Sequence, residues 1–250
     1  YYVRAYATNE KGTGYGMSLI FRTLAIAAPL VSTNTITYLT DNSATGGGNV
    51  THDGNATITA RGVVWNTTGD PTLHNNIGFT INGQGLGSFT SNITGLNPST
   101  DYYVRAYATN SAGTSYGNQV SFQTNFAIGQ SYGGGIIFYV DASGQHGLIA
   151  ATSNQENSAW GCVGTFLGGT YTVIGAGQSN TTVITNGCGA TDIAARVCID
   201  LVLNDYDDWF LPSKDELNLM YLKRDIIGGF INSAYWSSSE SSADGSWYQN

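Results

Sequence analysis

The sequence predicts a mainly β chain: an antiparallel β-sandwich followed by an α+β domain. Three observations carry that expectation. Only 10% of the 250 residues are charged, 41% are apolar, and Gly (33) and Tyr (16) are abundant. This composition suits short strands and turns, and it is neither that of a disordered chain nor that of a collagen. Apolar and polar residues alternate with period two through several segments of the first half, as half-buried strands require. Beyond Phe126 the character changes. Four of the five Trp, all three Cys and the whole net charge of −8 lie there, with two stretches of helical periodicity.

A repeat organises the first half. Residues 1–16 read YYVRAYATNEKGTGYG and residues 102–117 read YYVRAYATNSAGTSYG, thirteen of sixteen identical at an offset of 101. The correspondence continues more weakly to Phe21 and Phe122 and to Thr23 and Thr124. Residues 1–24 are therefore expected to be the C-terminal part of a truncated repeat, 25–125 a complete repeat, and 126–250 the second domain. On that expectation the sequence is a fragment of a longer protein, with any export signal upstream.

In the complete repeat, strands are expected at Val31–Leu39, Ser43–Val50, Ala56–Trp65, Gly87–Ile93, Tyr102–Thr109 and Gln119–Thr124. Turn clusters at Asp41-Asn42, Asp53-Gly54, Gly69-Asp70-Pro71 and Asn110 to Gly113 separate them. The Tyr102 strand places Tyr102, Val104, Ala106 and Ala108 on one face and Tyr103, Arg105 and Tyr107 on the other. In the second domain a helix is expected over Thr191–Leu203. Its stripe of Ala194, Val197, Cys198, Leu201 and Val202 gives Cys198 a buried structural role. Another helix is expected over Lys214–Arg224. Ser213 and Glu216 form a capping box, and the charged residues at its two ends complement the helix dipole.

Two resemblances follow from these segments. Leu96-x-Pro98-x-Thr100-x-Tyr102-x-Val104 resembles the tyrosine-corner segment of fibronectin type III domains, an immunoglobulin-like sandwich. It implies that the Tyr102 hydroxyl tucks back onto the backbone near Pro98, and that the repeat serves as a spacer. In the second domain the relevant segments are Ser131 to Val140, Gly147 to Ala151, Gly175 to Asn180, Asp208-Trp-Phe-Leu-Pro-Ser-Lys-Asp-Glu-Leu217 and Tyr235-Trp-Ser-Ser-Ser-Glu240. Together they resemble the Lcl C-terminal domain family, named for a bacterial collagen-like adhesin. That resemblance implies a C-type lectin-like fold of two helices, small mixed sheets and long loops. It also implies a secreted or cell-surface bacterial domain that contacts glycans or other extracellular polymers. Family members usually continue past the Trp247 segment, so 126–250 is expected to be truncated at its C-terminus.

Charge narrows the partners. Residues 1–125 hold five acids and five Lys or Arg; residues 126–250 hold twelve acids and four bases. Nucleic acid is excluded as a partner because phosphate binding needs clustered cations. An anionic membrane surface is disfavoured for the same reason. The longest apolar run, Leu24 to Val31, is broken by Pro29 and is far short of a spanning helix. The adhesin's sulfated glycosaminoglycans would need a basic surface, so a neutral glycan or a surface protein is the expected partner here.

Candidate chemistry is sparse. The cysteine spacings carry no CxxC pair, which argues against zinc, and His52, His74 and His146 are scattered. An odd cysteine count suggests one bridge plus a free thiol, or a cysteine partner outside this chain; Cys162 and Cys188 are the disulfide candidates. Gly113-Thr-Ser115-Tyr-Gly117 and Gly129-Gln-Ser131-Tyr-Gly133 match GxSxG but lack the strand-to-helix context of a nucleophile elbow. The acids Asp200, Asp205, Asp207, Asp208, Asp215 and Glu216 have three readings. They are helix caps and a solvated loop, a calcium site at Asp205, Asp207 and Asp208, or a glycosidase pair. Five N-x-[ST] sites fit chance in an Asn- and Thr-rich chain. No cofactor is expected apart from that calcium reading.

A sugar platform is expected from Asp208, Trp236, Ser238, Glu240 and Trp247. Aromatic faces would stack on C–H patches while hydroxyls and carboxylates read sugar hydroxyls. Ser238 and Glu240 are expected to be exposed. The function expected is non-catalytic adhesion or recognition of carbohydrate; the alternative is a structural or protein-binding module.

Overall fold

The computed structural model describes every residue except Val163, Asp244 and Asn250. The chain divides into two compact units, Tyr1–Leu96 with Thr100–Gln123, and Asn97–Ser99 with Thr124–Asn250.

The first unit opens with four short strands: β1 (Tyr2–Val3), β2 (Tyr6–Asn9), β3 (Gly12–Tyr15) and β4 (Leu19–Ile20). An antiparallel sandwich follows. One sheet has the order β5 (Leu30–Thr33), β6 (Ser43–His52), β9 (Gly87–Thr94). The other is built on β10 (Asp101–Asn110), with β7 (Ala60–Asn66) and then β8 (Gly78–Phe79) on one side. On its other side β11 (Gly113–Tyr116) pairs with the second half of β10, and β12 (Val120–Gln123) with the first half.

The core lies between these sheets. Val50, Phe89 and Ile93 from one meet Val63, Trp65, Tyr102, Val104 and Ala106 from the other. The expected inward face of β10 is buried at Tyr102, Val104, Ala106 and Ala108. Tyr107, on the opposite face, is also buried. Gly62 beneath it carries no side chain to obstruct the ring, and its hydroxyl donates to the Thr80 carbonyl at 2.7 Å.

The structure shortens some expected strands and adds others. Val31–Leu39 contributes β5 only to Thr33, because Asn34 and Thr37 bond back to Gly47 and Thr45 and Tyr38 turns the chain at φ 47°. The strand expected from Ala56 starts at Ala60. Gly113–Tyr116 forms β11, so Ser115 sits in a hairpin strand, and Ser131 lies in a strand also. Neither Ser opens a helix.

Residues 1–24 reproduce the pairing of 102–125. Tyr2 pairs with Ile20 as Tyr103 does with Ser121, and Tyr6 with Tyr15 as Tyr107 does with Tyr116. The Arg4 guanidinium donates to Gly16 O at 3.0 Å, as Arg105 does to Gly117 O at 2.9 Å. Tyr1 stacks on Phe21 at 5.4 Å, as Tyr102 does on Phe122 at 5.7 Å. Burial does not repeat: Tyr1 is 74% exposed and Val3 50%, whereas Tyr102 is 1% and Val104 0% exposed.

In the second unit, β13 (Ser131–Tyr132), β14 (Gly135–Val140) and β15 (Gly147–Ala151) form an antiparallel sheet. Then come α1 (Gly177–Gly187), α2 (Ala194–Ile199), α3 (Lys214–Leu222), α4 (Arg224–Ile227) and a hairpin of β16 (Tyr235–Ser242) and β17 (Gly245–Gln249). Trp160, Ile184, Cys188, Ile193, Ala195 and Leu211 form one core and Phe138, Ala150 and Ile227 a second. Cys162 and Cys188 are joined by a disulfide; Cys198 is a free thiol.

The helices differ from expectation. The expected Thr191–Leu203 helix is cut to Ala194–Ile199. Ile193 is extended and bridges to Ala159, and Asn204 and Asp205 at φ 49° and 65° turn the chain between Leu203 and Tyr206. Val202 consequently lies exposed rather than on a buried stripe. Helix α1 is unforeseen, because its sequence GQSNTTVITNG is poor in helix formers. Tertiary bonds hold it instead. Asn180 accepts from Tyr171 N at 2.8 Å and donates to Tyr171 O at 2.7 Å, and Thr181 accepts from Leu211 N at 3.0 Å.

Candidate functional site

The capping box of α3 is where local sequence begins to build the site. Ser213 Oγ accepts from the Glu216 N–H at 3.3 Å, and Glu216 Oε2 accepts from the Ser213 N–H at 2.7 Å. The Glu216 carboxylate is fully buried, and its other oxygen accepts from Gly175 N at 2.6 Å and, more weakly, from Gly177 N at 3.5 Å. One side chain thus caps its own helix and ties down the start of α1. A Cβ at residue 177 would collide with that carboxylate and with the Phe210 ring, so the position requires glycine.

The serines of Tyr235-Trp-Ser-Ser-Ser-Glu240 fasten β16 to this frame. Ser237 donates to Trp247 O at 2.8 Å, and its own carbonyl accepts from Trp160 Nε1 at 2.7 Å. Ser238 N donates to Pro212 O at 2.7 Å, and its hydroxyl accepts from Asn180 at 3.1 Å. Ser239 accepts from Lys214 N at 2.9 Å and donates to Tyr171 O at 2.7 Å.

This frame borders a cleft of about 480 Å³ within the second unit. Its walls come from β14 and β15 (Ile137, Ile149), α2 (Val197, Cys198), α3 (Met220) and the segment Tyr206 to Phe210. Aromatic rings stand among these aliphatic side chains. Phe126, Tyr132 and Tyr206 run as a series at 5.2 and 6.2 Å, and Phe230 packs on Tyr235 at 5.0 Å. The Trp209 indole is oriented by a hydrogen bond from Nε1 to Tyr206 O at 3.1 Å. A polar rim is supplied by residues 152–158, anchored by Tyr235 Oη to Asn154 at 2.7 Å and by Trp236 Nε1 to Ser158 O at 3.2 Å.

Two titratable groups of the lining are shifted. A hydrogen bond with Tyr132, repulsion from that phenol's ionised form, desolvation and, least, nearby Asp208 hold the Tyr206 phenol above its ordinary value. Burial pushes the Cys198 thiol up to about 11, leaving it protonated and unreactive at neutral pH.

The structure distributes the five platform residues unequally. Asp208, exposed, and Trp236, half-buried, both line the cleft. Ser238 is fully buried, contrary to its expected exposure, because helix α1 covers it. Glu240 is half-buried rather than open. Its two carboxylate oxygens accept from Leu167 N at 2.9 Å and Gly168 N at 2.8 Å, so it braces a loop. Trp247, 47% exposed, lies under the Lys214 ammonium at 4.8 Å and borders a separate cleft of about 250 Å³. Asp205, Asp207 and Asp208 are all exposed. Among the described residues no three His, Cys, Asp or Glu side chains are placed to hold a metal ion.

Sequence reasoning missed Tyr132, Tyr206, Trp209, Phe230 and the 152–158 loop as cleft walls. The crowding of Trp beyond Phe126 was the one signal that pointed toward them.

No family model matches the chain, and no curated protein matches it. Solved structures that it resembles are β-sandwich domains of the fibronectin type III and immunoglobulin kind. The sensor domain of the anti-sigma factor RsgI4 of Pseudobacteroides cellulosolvens is 15% identical, covering 41% of this chain and 100% of that one, with a TM-score of 0.31. A fibronectin type III domain of human collagen XX is 13% identical over 42% of this chain and 100% of that one, at 0.30. The chicken CNTN1 FN1–FN3 domains are 17% identical over 49% of this chain and 42% of that one, at 0.30. Among the described residues no helix is long and apolar enough to cross a membrane.

Proposed function

We propose that this chain is a non-catalytic recognition module of a secreted or cell-surface protein. The sandwich acts as a spacer, and residues 126–250, with their resemblance to the Lcl C-terminal domain and C-type lectin-like fold, bind carbohydrate in the 480 Å³ cleft. The observation that carries this reading is the lining itself. Broad aromatic faces sit beside the amide and hydroxyl groups of Asn154, Gln155, Asn157 and Ser158. That combination suits a sugar, whose ring presents C–H patches on its faces and hydroxyls at its edge. Antiparallel sandwiches of this kind fit an extracellular array, and the intramolecular disulfide fits an oxidising compartment.

A glycan array probed with the 250-residue chain tests the reading. Selective binding that is lost in Trp209→Ala supports it. A blank array from a folded chain overturns it and leaves a structural or protein-binding module. That second reading is favoured by one observation: the hydroxyls of the Ser237–Ser239 run are all spent on internal bonds.

A further inference from the structure

The cleft carries a charge pattern that its aromatic walls do not require. Asp208 and Glu156, both exposed, line it, and no Lys or Arg does. Glu216 also borders it, but that carboxylate is taken up by backbone N–H groups. The ion pairs among the described residues are His52 with Asp53 and His146 with Asp141, so neither cleft carboxylate is matched by a cation. The basic side chains of residues 126–250 lie elsewhere. Lys214 sits over Trp247, Arg224 over Tyr221 at 4.5 Å, Arg196 donates to Thr185 O at 2.9 Å, and Lys223 is outside the lining.

We infer that the cleft selects its ligand by charge: it takes a saccharide bearing free amino groups and rejects sulfated or uronate-bearing chains. The inference rests on the carbohydrate reading above. An ammonium group is drawn to either lining carboxylate and, beside Asp208, also to the faces of Tyr206 and Trp209. A sulfate or carboxylate meets two like charges with no cation to offset them. One exposed charge pair is worth about 1.4- to 5-fold in affinity, so two together give a preference of about 2- to 25-fold.

Three tetrasaccharides of one backbone test this against the full chain: glucosamine with free amines, the N-acetylated form and the N-sulfated form. Affinity is read by calorimetry at low salt, at a pH where the amines are protonated. The expected order is amine, then N-acetyl, then N-sulfate. In the double variant Asp208→Asn, Glu156→Gln the amine to N-acetyl ratio falls toward one, with the fold checked by circular dichroism. The inference is overturned if the sulfated form binds as tightly as the N-acetylated form, or if the preference survives the double variant. It is also overturned if a Lys-containing oligopeptide binds as tightly as the amine sugar. Binding without any order of charge defeats this inference alone, whereas failure of all three sugars to bind defeats the carbohydrate reading with it.

Discussion

Replacing Glu216 with Ala removes a single carboxylate on which three backbone N–H groups depend. Ser213 N at 2.7 Å and Gly175 N at 2.6 Å lose their acceptor, and Gly177 N loses a weaker one at 3.5 Å. The Glu216 side chain is fully buried, so these N–H groups are satisfied by the carboxylate and not by water while it is in place. A hydrogen bond to a charged group is worth about 1.5–3 kcal/mol, and a buried unmet donor costs about 1–3 kcal/mol. With two strong bonds lost, the 124–250 unit is expected to lose about 3–5 kcal/mol. Glu216→Gln keeps one acceptor oxygen and should lose about 1.5–3 kcal/mol, roughly one charge-assisted bond. Urea unfolding followed by tryptophan fluorescence reports on this unit, since Trp160, Trp209, Trp236 and Trp247 all lie in it. A loss below about 1 kcal/mol in the Ala variant would refute the argument, because two charge-assisted bonds to a buried carboxylate are worth more than that.

Other expectations follow from the same geometry. Replacing Cys162 and Cys188 together should destabilise the unit by about 3–4 kcal/mol, from their separation of 26 residues, in the same urea assay. Cys198 should resist alkylation at pH 8 in the folded chain and react quickly once unfolded. Because its folded pKa is raised, its contribution to stability is present below about pH 9 and is lost as pH rises through about 11. Trp209→Ala should weaken saccharide binding about 2- to 12-fold by loss of one stacking face, whereas Trp247→Ala should change it less than twofold. With Asp205, Asp207 and Asp208 exposed and no three acids placed to hold a metal among the described residues, millimolar calcium should move the Tm by less than about 1 °C; a larger rise would support those three as ligands.

The sandwich was legible because a half-buried strand writes its own period. Tyr102, Val104, Ala106 and Ala108 announce their face directly, and the copy at 1–16 repeats the statement. Capping was legible for the same reason: Ser213 and Glu216 act within one helical turn. The burial of Tyr107 on the opposite face was not legible, because it depends on Gly62 and Thr80, which no local pattern connects to it. Helix α1 was invisible because its Thr, Asn and Gly residues oppose helix locally and are overruled by Tyr171, Leu211 and Glu216. The cleft was legible only as an excess of aromatics. Its walls are gathered from β14, α2, the Tyr206 turn and a loop far away in sequence, so no spacing marks them. Ser238 and Glu240 were read as ligand contacts because polar groups beside a Trp suggest a platform. Their partners, Asn180 and the 167–168 backbone, lie more than fifty residues away and made them braces instead.

The loop at 152–158 is held at Asn154 by Tyr235 and at Ser158 by Trp236, with Gln155, Glu156 and Asn157 between those anchors on the cleft rim. If the cleft recognises a ligand as proposed, the scaffold and much of its rim are written in different stretches of sequence. The Ser-Ser-Ser run and the capping box hold the unit together through long-range bonds, whereas Gln155 on the rim bonds locally, to Ser153 O at 2.9 Å. On the recognition reading proposed above, a lineage can then tune its ligand in part by editing a tripeptide, without renegotiating the fold beneath it. Relatives of this chain should differ most where they touch the outside world and least where their motifs look most like a binding site.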